Sequence, residues 1–280
     1  GLGDVYKRQT VDGNNHTITF AQKAPEGNSS NNYRVFNVTA GDVTLKNLTI
    51  DLSESTHGSW SAVHNRAINV LTDTDSVTLD NVDIIAGIHY GVYVYDATEA
   101  TVTIKDSSIS GYNALSIWTD CTVNVVNSDL TGKAVWNYLH GVINIGGGTP
   151  TITVDEDSSI TAVANPDNDA YGQYCVYVQS AASANNVAIN TTDLTKVSED
   201  DPVIYVDGAV ARIDDTLYKT LADAIGAIAI DGSDTTIKLL SDAEVGADIA
   251  ASYGTGKVIF TADTPVTVKQ TAVGTDFDFT

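Results

Sequence analysis

One short phrase recurs along this chain and leaves few folds open to it. VTLKNLTI (43–50), VTLDNVDI (77–84), VTIKDSSI (102–109), VNVVNSDL (123–130) and VAINTTDL (187–194) share one apolar–polar pattern, and ITVDEDSSI (152–160) repeats it with one extra residue. A second phrase precedes most copies: YRVFNV (33–38), NRAINV (65–70), YGVYVY (90–95), NALSIW (113–118), YCVYVQ (174–179) and PVIYVD (202–207). Each phrase alternates with period two and is rich in β-branched residues, the pattern of a short, half-buried strand. Val43 and Leu45, Val77 and Leu79, Val102 and Ile104, and Val123 and Val125 are the inward candidates.

The polar residue at the middle of the first phrase falls at Asn47, Asn81, Asp106 and Asn127, in steps of 34, 25 and 21 residues. Hairpin strands would follow each other across about two to five residues of Gly-containing turn. Near-identical phrases returning at these longer intervals predict equivalent strands stacked in parallel and in register. The expected fold is all-β: a right-handed parallel β-helix with about three short strands per coil, in which each coil is stabilised by its neighbours. Within it the Asn/Asp column has a structural role. The chain must turn sharply there, Asn tolerates the left-handed region, and stacked amides can bond one another along the axis. The sequons at Asn37, Asn47 and Asn190 are read as products of the same repeat.

TVDGNNHTITF followed by these coils resembles the pectate-lyase-like superfamily of right-handed β-helices over residues 10–207. The resemblance implies architecture rather than activity, because that fold hosts lyases, hydrolases, adhesins and phage tailspikes. The rhythm changes near residue 208. Thr220 is a candidate N-cap with Asp223 three residues on, and Leu221, Ala224, Ile225 and Ile228 form an apolar helical face. TTIKLL (235–240), KVIFTA (257–262) and PVTVKQ (265–270) then read as strands. This stretch resembles a short αβ module of large gut-bacterial surface proteins, and 208–280 is expected to be a cap followed by the first coils of another β-helix.

The opening GLGDVYKRQ matches the translation of a transposase-type sequencing-library adapter, so residues 1–9 are read as a scar on a metagenomic fragment and left out of fold reasoning. Methionine is absent, and the chain is expected to be truncated at both ends. A formal charge of −22, from 14 basic and 36 acidic residues, argues against nucleic acid and anionic membrane surfaces. No apolar run is long enough for membrane insertion. Cys121 and Cys175 fit no metal-ligand spacing and are read as two buried thiols, with a disulfide as the alternative. The composition suits a secreted or cell-surface bacterial protein.

Catalytic phrases are hard to find. Arg34 and Arg66 occupy one repeat position and are read as flanking a strand rather than acting as a lyase base. The hydrolase phrases NTD, GHG and RIK are missing, and no pair of acids is placed to bracket a glycosidic bond. The acidic knots Asp155–Asp157 and Glu199–Asp201 read as solvated turns, with Ca²⁺ as a weaker alternative and no cofactor expected. The five histidines show no ligand spacing. What remains is aromatic. With Val92 and Val94 inward, Tyr93 and Tyr95 point out, as does Trp118 beside Ile117, while Trp136 and Tyr138 follow in the next coil with their parity open.

Tyr93, Tyr95, Trp118, Trp136 and Tyr138 are therefore the candidate platform for glycans or host-surface polysaccharides, against the plainer reading of rings packed under insertions. The expectation is a non-catalytic adhesin-like or carbohydrate-binding protein, monomeric within a larger multidomain chain. The alternatives are a fragment of a polysaccharide lyase or glycoside hydrolase, or a structural spacer.

Overall fold

A computed structural model describes residues 8–21, 33–55, 65–133, 140–165, 173–214, 216–229, 231–245, 249–251, 256–270 and 277–279. The chain divides into two compact units, Gly1–Glu199 and Asp200–Thr280.

The first unit is a parallel solenoid whose coils each contribute three strands. Thr101–Lys105, Ser108–Gly111 and Asn113–Ile117 make one coil, and Thr122–Val126, Asp129–Lys133 and His140–Ile145 make the next. Every strand pairs in parallel with its counterpart one coil away: Val102 with Val123, Ile109 with Leu130, and Leu115 with Ile143. In the earlier coils the first two strands run together as Arg8–Thr19, Gly41–Asp51 and Thr74–Ile85. Arg8 and Gln9, left out of the fold reasoning above, belong to the first of these and pair with Asp42 and Val43.

The repeated phrases line the interior because each strand offers alternate residues to it. Leu45, Leu79, Ile104, Val125 and Val154 form one file, all fully buried or nearly so. Ile68, Val92, Leu115, Ile143 and Val176 form another. Val43 is only half-buried, since the coil beyond it presents Gln9 rather than an aliphatic side chain.

Asn47, Asn81, Asp106 and Asn127 all adopt the left-handed conformation, with φ of 51°, 56°, 51° and 44°. Their side chains bond along the axis. Asn81 Nδ2 donates to Asn47 Oδ1 at 3.0 Å, Asn47 Nδ2 to Asp12 Oδ1 at 3.1 Å, and Asn127 Nδ2 to Asp106 Oδ1 at 2.6 Å. A second ladder runs directly behind. The hydroxyl of Ser107 accepts from the Val82 N–H, that of Ser128 from the Ser107 N–H, and that of Ser158 from the Ser128 N–H, each within 3.1 Å. These serines are buried, so the hydroxyls satisfy corner amides that no strand partner reaches.

The left-handed conformation costs a residue with a Cβ about 1–2 kcal/mol, a cost that glycine escapes, that Asn offsets by hydrogen-bonding nearby backbone, and that alanine bears in full. Asn81→Ala is therefore expected to destabilise the unit by that amount and Asn81→Gly by much less. Urea unfolding of both variants checks it. Equal losses would place the cost in the missing amide bond instead.

The second unit contains the one helix among the described residues, Leu221–Gly226, whose N-cap Thr220 accepts the Asp223 N–H at 3.0 Å. Leu221, Ala224, Ile225 and Ile228 pack with Ile237 and Leu239 of the strand Thr235–Leu239 in a core of their own. That strand, Ala243–Val245 and Ile249–Ala251 pair in parallel with Val258–Ala262, Val268–Gln270 and Phe277–Phe279. Two successive coils again stack with matching register. No helix among the described residues is long and apolar enough to cross a membrane.

Candidate functional site

The outer face of the third strand of each coil carries the aromatic residues. Asn37, Asn69, Tyr93, Ser116, Asn144 and Tyr177 stand in one register file. Each is set between two interior residues, as Tyr93 is between Val92 and Val94. Strand alternation therefore places these side chains on the face opposite the core.

Facing outward does not leave Tyr93 open. It is only 8% exposed. The Arg66 guanidinium carbon lies 3.5 Å from its ring centroid, a cation–π contact. Trp118 stacks near it from the following coil, with centroids 6.3 Å apart and planes 26° apart. Tyr95 lies 6.3 Å away at 31° and is 44% exposed. Tyr90 meets the Tyr93 ring edge-on at 5.1 Å. The structure thus brings Tyr93, Tyr95 and Trp118 together as a cluster of three rings with Tyr93 at the centre. Trp136 and Tyr138 lie outside the described residues.

Two features hold the indole. Trp118 Nε1 donates to Ser116 Oγ at 3.0 Å, and Ser116 Oγ also accepts from Asn144 Nδ2 at 3.4 Å. On the next coil, a Cβ at Gly146 would stand 2.6 Å from the indole Cδ2 and Cε2, so glycine there lets the ring lie close against the backbone. Trp118 keeps part of its surface exposed.

The electrostatics follow from burial. Desolvation pushes the phenols of Tyr90 and Tyr93 above the ordinary tyrosine range, with the charge of Arg66 opposing it in both. Burial is also the main influence lowering the pKa of Arg66, and the nearby charge of Arg34 works in the same direction. Arg66 Nη1 donates to Asn69 Oδ1 at 2.6 Å, and Asn69 Nδ2 donates on to Asn37 Oδ1 at 2.6 Å. Arg34 and Arg66 pair across neighbouring strands.

Other singled-out residues have structural surroundings. Cys121 and Cys175 are buried thiols that form no disulfide, Cys175 Sγ donates to the Thr195 carbonyl at 3.8 Å, and burial with a contribution from Asp120 raises the Cys121 thiol to about 12. Asp155 accepts from the Asn127 N–H and from the Ser158 hydroxyl, so this member of the acidic knot is used by the turn. Among the described residues, no group of three His, Cys, Asp or Glu side chains is placed to hold a metal ion.

Two histidines belong to a buried polar column at a corner of the coil. Asn65 Nδ2 is 3.3 Å from His89 Nε2, and Tyr112 Oη is 2.6 Å from His140 Nε2. His140 in turn lies in register with the buried Gln173. Spacing along the chain gave no sign of this column, because its members stand at or just before the strand starts, where the phrases share no residue type.

No protein-family model matches the chain, and neither any curated protein nor any solved structure matches it.

Proposed function

We propose that this chain is a non-catalytic β-solenoid of the pectate-lyase-like kind, displayed outside a bacterial cell, that binds carbohydrate on the outer face of its third strand ladder. The observation that carries the reading is the ring cluster. Tyr95 and Trp118 flank the buried Tyr93 on a rigid sheet, with Tyr95 exposed and Trp118 partly so. Aromatic faces stack on the apolar C–H faces of sugar rings, and a backbone held by ladders on both sides binds without an ordering cost. In the same file Asn37 is exposed, while the buried Asn69, Ser116 and Asn144 hold Arg66 and Trp118 in place through their hydrogen bonds.

Tyr93 serves as the floor of this patch, while Trp118 and Tyr95 supply the surface a ligand meets. Glycan-array binding by the whole chain, compared with a Trp118→Ala, Tyr95→Ala double variant, tests the reading. Loss of signal to about a tenth or less, the worth of roughly 1.4 kcal/mol, is expected. Undiminished binding by the variant would remove the platform. Release of unsaturated uronate from acidic polysaccharide by the wild type would replace binding with lyase activity.

A further inference from the structure

We infer that the aromatic patch selects sugars carrying an anionic group, carboxylate or sulfate, which pairs with the Arg66 guanidinium; this rests on the glycan-binding reading above.

The argument begins with what Arg66 lacks. On the solenoid faces, several cations have an acid beside them. Lys46 meets Asp12 at 3.1 Å, Lys105 meets Asp80 at 3.0 Å, Arg8 meets Asp42 at 3.6 Å and Lys238 meets Asp263 at 2.7 Å. In a chain with 36 acidic residues such pairing is easy to arrange. Among the described residues, no carboxylate lies within ion-pair distance of Arg66. Its polar contact is the neutral Asn69 amide, its Nε is buried with no acceptor, and its flat face covers Tyr93.

A like charge also acts on it. Arg34 stands in register one coil away and disfavours the charged form of Arg66, and burial disfavours it further. A half-buried guanidinium without a counter-charge, beside a second arginine, is an electrostatic arrangement that an anion relieves. With Nε buried and Nη1 engaged by Asn69, the terminal N–H groups of the guanidinium are the donors left for a carboxylate or sulfate oxygen. Its position beside the rings sets the ligand class. An anion held by Arg66 projects from a molecule whose body lies along Trp118 and Tyr95, as a sugar ring with a charged substituent would.

Titration calorimetry on the full chain with three oligosaccharides of one length tests this: an oligoglucuronate, its carboxyl-reduced form, and a sulfated version of the reduced form. At least one charged probe is expected to bind about tenfold or more tighter than the neutral one, the worth of a charge-assisted hydrogen bond, and to weaken as salt is raised. Whichever charged probe is preferred identifies the group.

Arg66→Gln is expected to abolish the preference, and Arg66→Lys to retain part of it; melting curves for both verify folding. Equal affinity for all three probes, lost in Trp118→Ala, would overturn the anionic assignment and leave the ring platform standing. A preference that survives in Arg66→Gln would place the anion elsewhere and overturn it too. Binding of none of the three would sink both readings.

Discussion

Replacing Ile104 by alanine should cost the first unit about 2–5 kcal/mol, the range for deleting a large aliphatic side chain from a well-packed core. Ile104 is fully buried and stands between Leu79 of one coil and Val125 of the next. Its strand is hydrogen-bonded on both sides, so neither neighbouring coil can move in to fill the space. The cavity therefore stays open, which puts the loss toward the upper part of the range.

The adjacent Thr103 lies on the opposite face of the strand and is partly exposed, so Thr103→Ala should change stability by no more than about 0.5 kcal/mol. Denaturant unfolding followed by circular dichroism measures both. A loss below about 1 kcal/mol in Ile104→Ala would mean that the stacked files are not a shared core.

That contrast rests on alternation, the part of the structure most legible in the sequence. The phrases at 43–50, 77–84, 102–109 and 123–130 assign Leu45, Leu79, Ile104 and Val125 to the interior, and the register of the strands stacks these residues on one another. The left-handed turn residues were also readable, because few residues other than Asn, Asp and Gly fit such a corner.

The serine ladder was not readable. Ser107, Ser128 and Ser158 follow the turn residues inconspicuously, and only stacking reveals that each hydroxyl serves an amide of the preceding coil. Tyr93 marks a further boundary. Parity gives its direction, but its burial depends on Arg66 and Trp118 arriving from the coils on either side. Arg66 itself read as a strand-flanking residue, since a missing counter-charge becomes visible only when the surrounding side chains are placed. Local patterns fix which way a residue points, and the neighbouring coils decide what it meets.

Gly141 turns the same dependence on neighbours into a large effect from a single methyl group. A Cβ built on it would lie 2.5 Å from the Ile143 carbonyl oxygen, 2.5 Å from the Tyr177 amide nitrogen and 2.9 Å from the Tyr177 Cβ. Two of these atoms are backbone, held in a strand ladder that cannot yield as a flexible side chain would. The Gly141 carbonyl also accepts from Asn113 Nδ2 at 2.6 Å, and His140 beside it contacts Tyr112, so a shifted strand disturbs the buried corner column as well.

Gly141→Ala is expected to cost about 3 kcal/mol, the upper end for overpacking, with loss of the Asn113 bond included. Gly226 supplies the opposite case. It closes the helix of the second unit with nothing within 4 Å of a built Cβ, so Gly226→Ala should stabilise that unit by about 0.5–1 kcal/mol. Thermal unfolding of the two variants measures both signs. A Gly141→Ala protein as stable as wild type would mean that the coils are not packed at the spacing this register requires, and the aromatic patch built on the same ladder would lose its rigid support.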